Sequence, residues 1–207
     1  MLTGWAALWL DYNHDTWLDL YVCNGYVQTF LIPEGRRQPN QLYRNEGDSD
    51  FTNVTAQAGV GDRGTARGCA TGDLDGDGDL DVVIVNSGRE DLAQGRFAIQ
   101  RNDRIGGRWV KVHLIGTDSN RDGIGAIVRL TIGEQTYMRH VSGGDGMLSS
   151  SQRDPHFGLA DATRIDQLEV TWPSGTVDTV MDLPIDSTIA VVEGAGRLIG
   201  PAYPLPQ

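Results

Sequence analysis

Asp73-Leu74-Asp75-Gly76-Asp77-Gly78-Asp79-Leu80-Asp81 runs directly into the apolar stretch Val82-Val83-Ile84-Val85. Five aspartates within nine residues repel one another unless a cation sits among them. The spacing suits a hard, oxygen-preferring ion, with side chains at positions 1, 3, 5 and 9 and a backbone carbonyl at position 7. Those positions are Asp73, Asp75, Asp77 and Asp81, with the carbonyl of Asp79. Gly78 falls at position six, where the sharp turn calls for positive φ. The stretch reads as a Ca2+ loop. It is not an EF-hand, which spans twelve positions, ends in Glu and leads into a helix. This loop closes earlier, and the β-branched residues after it predict a strand.

The same unit occurs 62 residues upstream, where Asp11-Tyr12-Asn13-His14-Asp15-Thr16-Trp17-Leu18-Asp19 aligns position for position. Asp11, Asn13, Asp15 and Asp19 match the four side-chain positions, and Trp17 supplies the carbonyl of position 7. This copy is the weaker one. Asn13 lends an oxygen without charge, and Thr16 replaces the position-six glycine, a strain of roughly 1 kcal/mol if φ is positive there. His14, at position four, points away from the ion and reads as a surface residue.

The entering strands Trp5–Leu10 and Arg67–Gly72 also align, which makes this an internal repeat. Asn40–Asn45 is echoed by Arg96–Asn102, each closing on Arg-Asn. Phe51–Thr55 reads as an outer strand and Ala56–Gly59 as a helical turn, while 26–40 and 86–96 read as loops. Four short strands per ~60 residues is the cadence of a β-propeller blade.

Residues 4–103 resemble FG-GAP repeats, also called VCBS repeats, through Asp73–Asp81 with Gly78, Leu42-Tyr43-Arg44-Asn45 and Phe51-Thr52-Asn53-Val54-Thr55. The resemblance implies integrin-α-like propeller blades with calcium in the acidic loops.

The second half differs in kind. Trp109–Ile115 alternates as a strand does. Ala126–Ile132 and Gln135–Val141 form a hairpin around Gly133-Glu134, and Ile165–Trp172 and Thr176–Met181 form another around Pro173-Ser174-Gly175. Ser187–Glu193 is a last strand. This half resembles the ASPIC/UnbV domain through Gly116–Ala126, His156-Phe157-Gly158-Leu159 and Leu168–Gly175. Repeats followed by this domain are the arrangement of the cartilage acidic protein family and its bacterial relatives. That arrangement implies an extracellular, cell-envelope or periplasmic protein.

The expected architecture is all-β. A partial β-propeller of about two blades occupies 1–105, a small antiparallel β-sandwich or barrel-like domain 106–194, and an extended or disordered tail 195–207. Two blades cannot close a propeller. Met1 leads almost at once into strand sequence, so upstream blades or self-association are the expected complement.

Composition narrows the function. The 207 residues carry 28 acidic and 17 basic side chains, net −11, with Lys111 the sole lysine. That excludes binding through nucleic-acid phosphates. No apolar run reaches the length of a membrane-spanning helix, and no signal-peptide pattern is visible. The two cysteines, Cys23 and Cys69, form no CxxC pair, so neither a zinc nor a redox site is supported. Buried free thiols are the plainer reading and a disulfide the alternative.

Other groupings read as structural. Asp118, Asn120 and Asp122 imitate half a calcium loop, but Ala126 stands where the closing carboxylate belongs, so a turn is preferred. Ser149, Ser150 and Ser151 lie near Asp154 and His156, with no nucleophile elbow among them, and His156 reads as packed. Trp5, Trp9 and Trp17 are either inter-blade filling or a sugar platform. The function expected is therefore a calcium-binding interaction or adhesion module for a protein or glycan, not an enzyme. An enzyme or accessory protein of secondary metabolism or polysaccharide processing, and a non-autonomous propeller fragment, are the alternatives.

Overall fold

The computed structural model describes residues 2–26, 38–87, 95–103, 107–196 and 198–201. Most of the two long loops expected within 26–40 and 86–96, and the last tail residues, lie outside these. The chain forms two compact units, one of Met1–Tyr12, Trp17–Arg104 and Gly144–Gln152, the other of Asn13–Thr16, Ile105–Gly143 and Arg153–Gln207.

The first unit holds two sheets. Strands β1 (Gly4–Leu10), β2 (Asp19–Asn24), β3 (Gln41–Asn45) and β4 (Phe51–Asn53) form one in sequential order, and a single helical turn, α1 (Thr55–Ala58), follows. Strands β5 (Ala66–Gly72), β6 (Asp81–Asn86) and β7 (Arg96–Gln100) form the other. The 62-residue repeat is visible in the pairing, since Leu8 faces Tyr21 and Leu10 faces Asp19 just as Ala70 faces Val83 and Gly72 faces Asp81. The second sheet departs from the expected four strands. Among the described residues it has three, because the sequence after Asn102 leads into the second unit instead of a return strand.

Alternating apolar residues let each sheet bury one face. Leu8, Leu10, Tyr21 and Leu42 of the first sheet share one core with Val82 and Ile84 of the second. Cys23 on β2 and Cys69 on β5 meet inside this core and are disulfide-bonded, with Cα atoms 6.7 Å apart. This corrects the free-thiol reading. The residues lie 46 apart in sequence, and only the packing of the two sheets brings them together. Residues 144–152 line the β5 edge, where the Gln152 amide donates to the Thr71 carbonyl at 2.8 Å and the Ser151 hydroxyl accepts from the Thr71 amide at 3.0 Å. This covers hydrogen-bonding groups that an open edge would expose.

The second unit is a sandwich of two four-stranded sheets. One sheet has the order β10 (Gln135–His140), β9 (Ile127–Ile132), β12 (Gln167–Thr171), β13 (Val177–Val180). The other has β11 (His156–Ala160), β8 (Arg108–Ile115), β14 (Ser187–Val192), β15 (Leu198–Pro201). Both expected hairpins form in register. The core alternates along each strand, with Val110, Val112 and Leu114 from β8 meeting Val128 and Leu130 from β9 and Leu168 from β12. Two details differ from expectation. β14 runs parallel to β8, which is possible because the long connection between them contains every strand of the other sheet together with β11. The start of the tail is also a strand, β15, paired with β14.

Glu193, just past β14, organises the turn at 117–119. Its Oε2 accepts the amides of Thr117, Asp118 and Ser119 at 2.8, 2.9 and 2.7 Å, and its Oε1 accepts the Ser119 and Ser174 hydroxyls at 2.7 and 2.6 Å. Burial alone would raise its pKa, but the bonds from Ser174, Ser119 and Thr117 outweigh that and bring it down to about 2. A carboxylate with a depressed folded pKa stabilises above its unfolded value and loses that contribution as pH falls through the folded one. Urea titrations of the wild type should therefore show stability falling from about pH 4.5 to about pH 2. In Glu193→Gln, stability should be lower at neutral pH and that part of the slope absent.

Candidate metal centre

The Asp73–Asp81 loop joins β5 to β6, and its backbone is set by two left-handed residues, Gly76 (φ 81°) and Gly78 (φ 97°). Asp73, Asp75 and Asp77 each bring a carboxylate oxygen to within 4.8 Å of the others. Asp73 Oδ1 accepts the Gly76 amide at 2.8 Å, and Asp77 Oδ1 accepts the Asp79 amide at 2.9 Å. These bonds hold the carboxylates in one group although the charges repel. Asp77 is exposed, and its pKa is raised chiefly by slight desolvation within the loop, with the charges of Asp75 and Asp73 adding to it and the Asp79 amide opposing it. Arg101 lies 3.7 Å from Asp75 and 2.7 Å from Asp103.

Asp81 has a second task that its spacing does not reveal. Buried to 1 % exposure, it accepts the Leu74 amide on Oδ2 at 2.9 Å and the Asn102 amide on Oδ1 at 2.8 Å. It thereby ties the loop to the end of the third strand. Asp19 does the same in the first copy, taking the Tyr12 amide at 3.2 Å and the Asn45 amide at 2.8 Å. In both copies the backbone amide of the Asn in the closing Arg-Asn pair docks on the last aspartate of its loop, and in the first copy the Asn45 side chain also donates to the Leu18 carbonyl at 3.1 Å. Asp79 is buried, and its amide, not its carboxylate, is what bonds to Asp77.

Three hard oxygen donors in a loop whose mutual charge raises a pKa fit a divalent cation. Asp73, Asp75 and Asp77 would hold it, and it would cancel their repulsion.

The first loop keeps the backbone and differs in its side chains. His14 (φ 55°) and Thr16 (φ 83°) occupy the left-handed positions of Gly76 and Gly78. The Asn13 amide group donates to Asp15 Oδ2 at 2.6 Å, so this carboxylate is already engaged by a neutral neighbour. Among the described residues, the Asp73–Asp77 group is where three acidic or imidazole ligand atoms converge, and Asp11, Asp15 and Asp19 make no such group. The Trp17 side chain is half-exposed. A β-branched residue held at positive φ costs about 1 kcal/mol. Thr16→Gly should raise the unfolding free energy by about that amount, read as a higher urea midpoint at unchanged slope.

His14 corrects its sequence reading. It is 2 % exposed, its ring lies 5.2 Å from that of His156, and its carbonyl accepts the Ala160 amide at 2.8 Å. Residues 13–16 pack as part of the second unit. Gly107 (φ 85°) permits this approach, since a Cβ on it would lie 2.7 Å from that of His14. His156 is buried, as expected, and stacks on Trp109 at 6.2 Å.

The remaining groupings are structural. Asn120 exchanges two hydrogen bonds with the backbone of Ile124, and Asp122 pairs with Arg153, so the 118–122 stretch is a turn. Asp154 pairs with His113 at 2.9 Å, not with His156. The Ser149 hydroxyl donates to the Met147 carbonyl and the Ser151 hydroxyl accepts from Thr71. The His113–Asp154 pair had no sequence signal, since 41 residues separate its members. No helix among the described residues is long and apolar enough to cross a membrane.

Comparison with known proteins supports both resemblances. Residues 11–84 match the FG-GAP-like repeat family and residues 116–198 the ASPIC and UnbV family. The chain is 29% identical over 177 residues to cartilage acidic protein 1 of Xenopus tropicalis, covering 82% of this chain and 25% of that protein. It is 26% identical over 166 residues to the human protein of the same name, covering 80% and 24%. The chain therefore spans about a quarter of the length of these relatives.

Proposed function

We propose that this chain, which joins FG-GAP-like repeats to an ASPIC/UnbV domain, is a calcium-stapled binding module of an extracellular or cell-envelope protein. The observation that carries the reading is the convergence of Asp73, Asp75 and Asp77 on one point of the β5–β6 loop. Bound there, calcium would neutralise the loop and fix the departure of β6, while the loops present a surface to a protein or glycan partner. The Cys23–Cys69 disulfide supports an oxidising compartment. Such compartments also hold calcium at the level that extracellular modules need, with Kd of about 10⁻⁴–10⁻³ M.

The size of the effect follows from linkage. With calcium near 1 mM and Kd about 10⁻⁴ M, binding to the folded state alone adds about 1.4 kcal/mol. Thermal melting of the full chain in EDTA should give a Tm a few degrees below that in millimolar calcium, with magnesium giving a smaller rise. A Tm that does not respond to calcium overturns the reading.

A further inference from the structure

Equivalent strands of the two repeats bury opposite faces. In β2, Tyr21 and Cys23 are buried and Leu20 and Val22 half-buried. In β6 the pattern inverts, with the Leu20 and Val22 equivalents, Val82 and Ile84, buried and the Cys23 equivalent, Val85, 52 % exposed. The register does not slip between the copies. Trp9 faces Leu20 and Leu20 faces Tyr43, as Thr71 faces Val82 and Val82 faces Gln100. Each sheet therefore has the same two faces. One carries Leu8, Tyr21, Cys23 and Leu42 in the first copy and Ala70, Val83, Val85 and Ile99 in the second. The other carries Trp9, Leu20, Val22 and Tyr43, then Thr71, Val82, Ile84 and Gln100.

Within the chain, the first kind of face on sheet one packs against the second kind on sheet two, around Cys23–Cys69. Two faces are left over. The second sheet presents Val85, Phe97 (72 % exposed) and Ile99. The first sheet presents Trp9 (57 % exposed) against Phe51, with ring centroids 6.2 Å apart. These leftover faces are the repeat equivalents of the pair that already fits, so they complement each other for the same reason. The relation is a step from one copy to the next, not a two-fold exchange, so it generates head-to-tail contacts. Contiguous apolar residues on both leftover surfaces are what such a contact buries. On the β5 margin the second sheet's face is shared with residues 144–152, where Ser149 sits beside Gly68 and Gln152 beside Gly72. The open part is therefore β6 and β7.

We infer that the Val85–Phe97–Ile99 face of one copy docks the Trp9–Phe51 face of a second copy, extending the internal sheet-to-sheet interface between chains. The continuity of that interface names the occupant. Asp73, Asp75 and Asp77 lie in the loop between β5 and β6, outside both faces, and Asp81, which shares the Val83 and Val85 face, is buried, so the contact is separable from calcium binding.

The test is sedimentation of the full chain in millimolar calcium across a wide concentration range, for the wild type, Phe97→Glu and Trp9→Glu. The wild type should gain mass with concentration, and each variant alone should stay monomeric. An equimolar mixture of the two variants should form a 1:1 dimer and nothing larger, because one intact face of each kind remains. Asp77→Asn should still associate while losing its calcium-dependent melting, which tells failure of this inference from failure of the calcium reading. Ile99→Lys and Phe51→Lys probe the same faces if either first variant loses its near-ultraviolet circular dichroism. A wild type that stays monomeric throughout, a mixture that does not associate, or a Trp9→Glu that self-associates like wild type overturns the inference.

Discussion

Removing the Cys23–Cys69 bridge should lower the unfolding free energy of the first unit by about 4 kcal/mol. The closed segment spans 46 residues, and the chain-entropy relation for a loop of that length gives about 4 kcal/mol at 25 °C. The bridge links β2 of one sheet to β5 of the other, so it restrains the contact between sheets that separate when this unit unfolds. Alanine is the proper replacement, because both sites are buried and a serine hydroxyl there would add its own desolvation cost. Cys23→Ala, Cys69→Ala and the double variant should fall together, since any one of them removes the single bond. Their energies are then strongly non-additive. Urea unfolding of the three variants and of the reduced wild type measures this. Two titratable thiols in the unreduced, denatured wild type would overturn it.

Asp81→Asn and Asp77→Asn should separate two tasks that one acidic loop combines. Asp81 is buried and accepts two backbone amides, from Leu74 and Asn102. Bonds to a charged acceptor contribute about 1.5–3 kcal/mol each. An asparagine keeps one acceptor oxygen and turns an NH2 toward the other amide. Asp81→Asn should therefore cost about 3 kcal/mol even in EDTA, and lose the calcium response as well. Asp77 stands differently, because it is exposed, and slight desolvation with the charges of Asp75 and Asp73 disfavours its ionised form. A raised folded pKa means that ionisation near neutral pH works against the metal-free fold. Asp77→Asn keeps the Oδ1 that accepts the Asp79 amide and removes that charge. It should melt at or slightly above the wild type in EDTA and show no rise with calcium. Equal melting of the two variants in EDTA would contradict the division of labour.

The candidate site was legible in unequal parts. Asp73, Asp75 and Asp77 follow from spacing, because alternate residues of a short loop between paired strands project to one side. The positive φ of Thr16 follows too, by alignment with Gly78. The anchoring of Asp19 and Asp81 does not, since the distant amides they accept, from Asn45 and Asn102, lie 26 and 21 residues away. Glu193 was invisible for the same reason, its partners lying 74 to 76 residues upstream and 19 upstream at Ser174.

Local chemistry encoded in the sequence determined the strands, the hairpin turns, the duplication and the acidic loop, because periodicity, turn residues and repeat spacing act between near neighbours. Packing between distant segments decided the rest. It joined Cys23 to Cys69, buried His14, ran β14 parallel to β8, and chose which face of each repeat is covered. The last point carries the physical reason. Two copies of one pattern present the same two faces, and nothing in the pattern says which of them will find a partner. Only the placement of one sheet on the other buries Cys23 and leaves its equivalent Val85 in solvent.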